Sequence, residues 1–172
     1  GQVVAIDPED DDLTYTLFKA DAAVMAINDD GFITLNDNAN FETKESYSIQ
    51  VRVTDGEFTD TQDILISVTD LNDAPIFTSN DQFTTNENSV AVGAVLATDD
   101  DQDSLVYTWQ GSDAAAFDIA ELANGAGLSI SFKNAPNYEA DQQSYNFTVS
   151  VADNDTVVDQ AISINVLDIN DA

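Results

Sequence analysis

Four stretches of the chain place apolar residues at every second position. Tyr47, Ile49, Val51 and Val53 follow this spacing, and Ile64, Ile66 and Val68 repeat it. Further on, Tyr145, Phe147, Val149 and Val151 do the same, followed by Ile162, Ile164 and Val166. A period of two predicts half-buried antiparallel strands, with one face on a core and the other in water. Asp, Asn and Gly clusters between the stretches supply turns, so each half of the chain reads as six or seven short strands forming a β-sandwich. Only "DAAVMAI" (21–27) and "DAAAFDIAEL" (113–122) suggest a short helical turn.

The two halves are copies of one unit. "GQVVAIDPEDDDLTYTL" (1–17) aligns with "GAVLATDDDQDSLVYTW" (93–109) at an offset of 92, and "NFE" (40–42) with "NYE" (137–139) at 97. "SYSIQVRVTDGE" (46–57) aligns with "SYNFTVSVADND" (144–155), and "ILISVTDLNDA" (64–74) with "ISINVLDINDA" (162–172), both at 98. The five extra residues fall in "ELANGAGLSISFKN", which reads as a loop or hairpin insertion. Two domains are expected, 1–73 and 74–172. The opening segment of the second, "PIFTSNDQFTTNENSVAV" (75–92), has no counterpart ahead of Gly1, so the first is expected to lack its first strand.

Charge narrows the range of functions. Thirty-three Asp and Glu stand against four Lys and Arg, a formal charge of -29, which would repel nucleic acid and anionic membrane surfaces. No apolar run reaches the length of a membrane span, so a soluble, mature or excised segment is expected, with no membrane insertion. With neither Cys nor His, the usual zinc, copper and iron sites and the Ser-His or Cys-His arrangements cannot be assembled. Carboxylate and amide oxygens remain, the ligands of a hard cation such as calcium.

The acids recur in register: "DPEDDD" (7–12) with "DDDQDS" (99–104), "NFE" with "NYE", "TDGE" (54–57) with "ADND" (152–155), and "DLND" (70–73) with "DIND" (168–171). All are placed at strand ends, where adjacent carboxylates repel unless a cation intervenes. Turn chemistry alone would account for any single motif. Recurrence at four motifs in both copies favours metal. An EF-hand is excluded, because counting from Asp99 the sixth position is Ser104 and the twelfth is Gln110.

Together these motifs resemble the cadherin repeat. "DLNDAPIF" (70–77) is similar to the cadherin interdomain linker, "NEN" (86–88) to the Glu motif opening a repeat, "DDD" (99–101) to its Asp-x-Asp, "NFE" and "NYE" to its Asp-x-Glu, and Asp55 and Asp153 to its late Asp. The resemblance implies an all-β protein of two tandem Greek-key β-sandwich domains, immunoglobulin-like and of cadherin type, joined end to end. It also implies calcium at the linker, held by Asn40 and Glu42, then Asp70, the Leu71 carbonyl, Asn72 and Asp73, then Asp99, Asp101 and Asp153. Six of these are carboxylates, enough for about three divalent ions; two or three are expected. Weaker outer half-sites would be Asp7, Glu9 and Asp55 at one end, and Glu87, Asn137, Glu139, Asp168 and Asp171 at the other. In the family an Asn usually follows the linker's second Asp, whereas here Asp73 runs directly into Ala74. The "NDAP" form is similar to cadherin-like repeats of bacterial surface and secreted proteins.

The expected function is a calcium-binding extracellular adhesion or spacer module, secreted or at the cell surface, whose partners are neighbouring repeats or a homophilic copy. A calcium-dependent module binding a polysaccharide is the alternative. Trp109, Tyr107, Tyr138 and Phe117 are candidate sugar platforms; apolar counterparts at Leu17, Tyr15 and Phe41 favour core positions. With no evident cleft, the carboxylates do not read as those of a glycosidase, and no enzymatic activity is expected.

Overall fold

A computed structural model describes residues 1–170; Asp171, the last of the expected outer ligands, lies outside the described residues. The chain divides into two compact units, Gly1–Leu71 and a second beginning at Asn72.

Unit one carries β1 (Thr14–Phe18), β2 (Met25–Ile27), β3 (Ile33–Leu35), β4 (Ser46–Thr54) and β5 (Thr59–Ser67). β1, β4 and β5 form one antiparallel sheet in that order, and β2 and β3 a separate hairpin. Between β1 and β2, the stretch with helical character forms a single 3₁₀ turn, Ala22–Val24. The inward positions of the alternating stretches meet as expected: Met25, Ile33, Ile49 and Val51 are buried, with Tyr15, Leu17, Tyr47, Ile64 and Ile66 half-buried against them. The N-terminal arm is held at Val3, whose N–H donates to the Gly31 carbonyl at 2.9 Å. Gly31 has φ +76°, and a Cβ there would stand 2.1 Å from the Val3 carbonyl oxygen, so this turn admits only glycine.

Unit two is the fuller sandwich. β6 (Ile76–Phe77), β8 (Ala91–Thr98), β10 (Phe117–Glu121) and β11 (Gly127–Phe132) form one sheet in the order β10-β11-β8-β6. The other sheet is built from β7 (Gln82–Asn86), β9 (Val106–Gln110), β12 (Ser144–Ala152) and β13 (Val157–Leu167), in the order β7-β13-β12-β9. All pairings are antiparallel except β13 with β7, which is parallel. The opening segment thus contributes one strand to each sheet. With eight strands here and five in unit one among the described residues, the even count of six or seven per unit does not hold. The insertion lengthens the β10–β11 hairpin relative to its counterpart β2–β3, and the second helical stretch is a 3₁₀ turn, Ser112–Ala116.

Between the sheets, Val95, Leu128, Val149, Val151, Ile162 and Ile164 are excluded from solvent around rings of Phe117, Phe132, Tyr145 and Phe147 whose centroids lie 4.4–5.5 Å apart. Tyr107 and Phe117 are core residues and Tyr138 packs beside the core. Trp109 departs from the expected core position at 41% exposure, because its strand, β9, is the outermost of its sheet. No helix among the described residues is long and apolar enough to cross a membrane.

Candidate metal centres

The acids of unit two gather at two places. The first is built by the chain entering at Asn72, the β8–β9 loop and the β12–β13 turn. That turn is made by Asp153, whose Oδ1 accepts the backbone N–H groups of Asp155 at 2.6 Å and Thr156 at 2.5 Å. Its Oδ2 accepts the Thr156 hydroxyl at 2.8 Å and the Asn72 side-chain N–H at 3.1 Å. These donors, the Thr156 amide foremost, hold the Asp153 carboxyl down at about 2. Asp101 Oδ2 accepts the backbone N–H of Asp73 at 2.7 Å. Asn72 and Asp73 are therefore tied into unit two, which is why the division falls before Asn72.

The β8–β9 loop adds Asp99, Asp101 and Asp103, alternate residues of an Asp-x-Asp-x-Asp run. Asp99 Oδ1 accepts the Asp103 N–H at 3.1 Å, while its Oδ2 is shielded from solvent and has no hydrogen-bond partner. The Asp103 carboxyl is pushed up, first by desolvation and then by the charges of Asp99, Asp101, Asp153 and Asp155. Asp103 is absent from the expected ligand set. The signal for it is the third Asp of the run, whose counterpart in unit one is Asp11.

The second cluster lies where β7 ends. Glu87, 1% exposed, accepts the Tyr138 N–H on Oε2 and the Ile169 N–H on Oε1, each at 2.8 Å. These two amides, Tyr138 first, draw its carboxyl below the ordinary value against the opposing effect of burial. Carboxylate oxygens of Glu87, Glu139 and Asp168 lie within 4.8 Å of one another. Asn137 does not offer a free side chain here, since its Oδ1 caps the next turn by accepting the Ala140 N–H at 2.8 Å.

In unit one, Asp55 Oδ1 holds the β4–β5 turn through Glu57 and Phe58 N–H groups at 2.7 and 2.6 Å, the arrangement of Asp153, and its carboxyl is likewise lowered, Phe58 contributing most. Asp7 Oδ1 accepts the amides of Glu9 and Asp11 at 2.8 and 3.2 Å. Asp7 and Asp55 border one groove, and the Glu9 side chain is exposed. Asn40 Oδ1 accepts the Thr43 N–H at 2.7 Å, and Glu42 is exposed on the turn so capped. Asp70 and Leu71 are exposed in the segment after β5, outside any strand or turn.

Both clusters in unit two suit a hard divalent cation. Every candidate donor is oxygen, and Asp99 Oδ2 has no other partner. The chain's own cations are engaged away from these clusters: Lys19 with Asp63, Lys44 with Asp21, Lys133 with the Ala115 carbonyl, and Arg52 over the Phe18 ring.

A family model described as a bacterial Ig domain matches residues 72–171. The Fat-like cadherin-related tumor suppressor homolog of Drosophila melanogaster is 31% identical over 113 residues, 62% of this chain and 2% of that protein. Chitinase A of Pseudoalteromonas piscicida is 29% identical over 175 residues, 98% of this chain and 20% of that protein. The chain thus spans at most a fifth of either relative. Among solved structures, human protocadherin-24 EC1-2 is similar over 98% of this chain and 88% of that chain, at 26% identity and a TM-score of 0.62.

Proposed function

Because the chain belongs to the bacterial Ig domain family and is built of cadherin-like repeats, we propose that it is a calcium-binding extracellular module that serves as a spacer or adhesion element. The observation that carries this reading is the first cluster of unit two. There Asp73 and Asn72 are fastened to Asp101 and Asp153, and desolvation, then the like charges around it, raise Asp103 with no basic side chain to offset them. Asp99, Asp101, Asp103, Asp153 and Asp73 would hold the ion, with Glu42, Asn40, Asp70 and the Leu71 carbonyl as contributions from unit one. Glu87, Glu139 and Asp168 form a second candidate set. A bound divalent ion supplies charge neutralisation, which removes the repulsion these acids otherwise exert on one another.

The energetic argument is linkage. A ligand that binds only the folded arrangement stabilises it by ~1.4 kcal/mol per site when tenfold above its dissociation constant. Extracellular sites commonly have dissociation constants of roughly 0.1 to 1 mM. Millimolar calcium then orders the segment around Asn72 and stiffens the tandem array, and calcium far below the dissociation constants leaves it loose. The partners in this reading are neighbouring repeats or another copy on a facing surface.

The test is small-angle scattering combined with a calcium titration by calorimetry. Chelator should broaden the interdomain distance distribution, and Asp101→Ala should remove at least one binding event. Identical scattering with and without chelator, or an unchanged titration in the mutant, would sink the proposal.

The similarity to chitinase A favours a second reading, a module that binds a polysaccharide, with the partly exposed Trp109 as the available ring. Calcium-dependent retention on insoluble chitin, lost in Trp109→Ala, would support it over the spacer. In neither reading do the carboxylates act as a catalytic pair.

A further inference from the structure

We propose that the cavity beside Tyr145 in unit two receives a lysine side chain from a different protein, with its ammonium held between Asp113 and Asp141. Unit one carries the same arrangement with its own lysine inside it. Lys44 Nζ donates to Asp21 Oδ1 and stands 4.8 Å from the centre of the Tyr47 ring. An ion pair and a cation–π contact thus fix one half-buried alkylammonium chain beside β4.

The repeat identifies the equivalent residues in unit two, and the hydrogen bonds agree with it. Asp21 Oδ2 accepts the Ser48 N–H at 2.7 Å, and Asp113 Oδ2 accepts the Asn146 N–H at 2.8 Å. Lys44 N–H donates to the Asn40 carbonyl at 3.0 Å, and Asp141 N–H to the Asn137 carbonyl at 2.8 Å. Tyr47 corresponds to Tyr145. The position of Lys44 is therefore Asp141 in unit two, a cation exchanged for an anion beside an unchanged Asp and Tyr. Unit two has one residue more between Asp141 and Ser144, and Gln142 Nε2 donates to Asp113 Oδ2 at 3.0 Å. That neutral amide leaves both negative charges in place. Asp113 Oδ1, the counterpart of the oxygen that takes Lys44, receives only the Ser112 hydroxyl at 3.5 Å.

Space and polarity suit the missing side chain. An open cavity of about 190 Å³, room for an aliphatic stem, is lined by Phe132, Pro136, Asp141 and Tyr145, the last two being the counterparts of Lys44 and Tyr47. Tyr145 is 9% exposed, and its hydroxyl has no hydrogen-bond partner among the described residues, so the wall carries an unused acceptor. Burial first, then the charges of Asp141 and Asp113, raise that hydroxyl above its ordinary value, which places both acids within electrostatic reach of it. Lys133, the only basic residue of unit two, also lines the cavity, but its Nζ is held at the Ala115 carbonyl at 2.9 Å and pairs with no described carboxylate. The other three basic side chains are engaged within unit one, so a second copy of this chain has none to offer. A net charge of -29 draws a basic partner towards the site. Asp113 and Asp141 belong to neither calcium candidate, and the site stands whether or not calcium binds.

The experiment titrates the whole, isotope-labelled chain in chelator with the peptide acetyl-glycyl-lysyl-glycine amide and follows it by NMR. Saturable shifts centred on Asp113, Asp141 and Tyr145 are expected. The norleucine peptide, which keeps the stem and lacks the ammonium, should bind about tenfold more weakly or worse, because it loses the charge-assisted bonds. Asp141→Asn should weaken the lysine peptide by a similar factor. Asp141→Lys recreates the arrangement of unit one, and it should abolish binding and slow hydrogen exchange in β12. If that variant does not fold, Asp141→Asn and the norleucine peptide carry the same test. Equal binding of the two peptides, or no saturable binding at millimolar peptide, overturns the proposal. So does tighter binding of a glucosamine oligomer, which would assign the cavity to an amino sugar, or displacement of one peptide by one calcium ion, which would make it a metal site.

Discussion

Ile64, Ile66 and Val68 in unit one are half-buried, whereas their counterparts Ile162, Ile164 and Val166 are 1%, 0% and 4% exposed. The strands carrying them have matching registers on β4 and β12, so the backbone does not make the difference. What differs is the cover. In unit two β6 and β7 lie across the sheet edges and bring Phe77 and Phe83 onto the core. An alternating pattern thus decides which face of a strand turns inward, and neighbouring elements decide how far it is buried.

The largest break in this symmetry comes from cavity formation. Ile164→Ala should cost unit two about 2–5 kcal/mol, whereas Ile66→Ala should cost unit one less, because a half-buried site has less contact to lose. Trp109 is the only tryptophan and reports unit two, so denaturant unfolding followed by fluorescence, with hydrogen exchange on β4 and β5 for unit one, measures both. Equal losses would mean that the two cores are equally well packed.

Acid should act next. Glu87 and Asp153 titrate below their ordinary values when folded, so their stabilisation is complete above those values and is lost as the pH falls from roughly 4.5 towards 2. Asp103, displaced upward, works in the opposite sense, since protonation relieves its repulsion. Unit two should therefore lose stability across that window in chelator, and Glu87→Gln should flatten the slope. An unchanged slope would show that the Tyr138 and Ile169 amides do not discriminate between charged and neutral Glu87.

Salt should have the smallest effect and divide the units again. In unit one Asp21 and Asp63 are lowered chiefly by Lys44 and Lys19, exposed partners that added salt screens. In unit two the lowered carboxyls rest on backbone amides. Raising sodium chloride in chelator should shift the acid transition of unit one more than that of unit two, as read by exchange at each unit's central strand.

Much of the sandwich is legible in the sequence because a two-residue period is geometric and survives in any environment. The repeat doubles that signal, and the four acidic motifs mark the turns and loops between the strands. Other features depended on distant chain. Glu87 sits among Asn86 and Asn88 and looks like a surface acid; its burial comes from amides 51 and 82 residues away. Asp153 is fixed as much by the turn it closes as by any ligand role, which no composition distinguishes. Trp109 has an inward position by alternation and is exposed because β9 has a neighbour on only one side. Asp103 is present in the pattern, but the resemblance supplies only two of the three acids of that run.

The parallel pairing of β7 with β13 also has a mechanical consequence. A pull on both ends of unit two draws these two strands past each other along their length, so their interstrand bonds resist together as a shear joint.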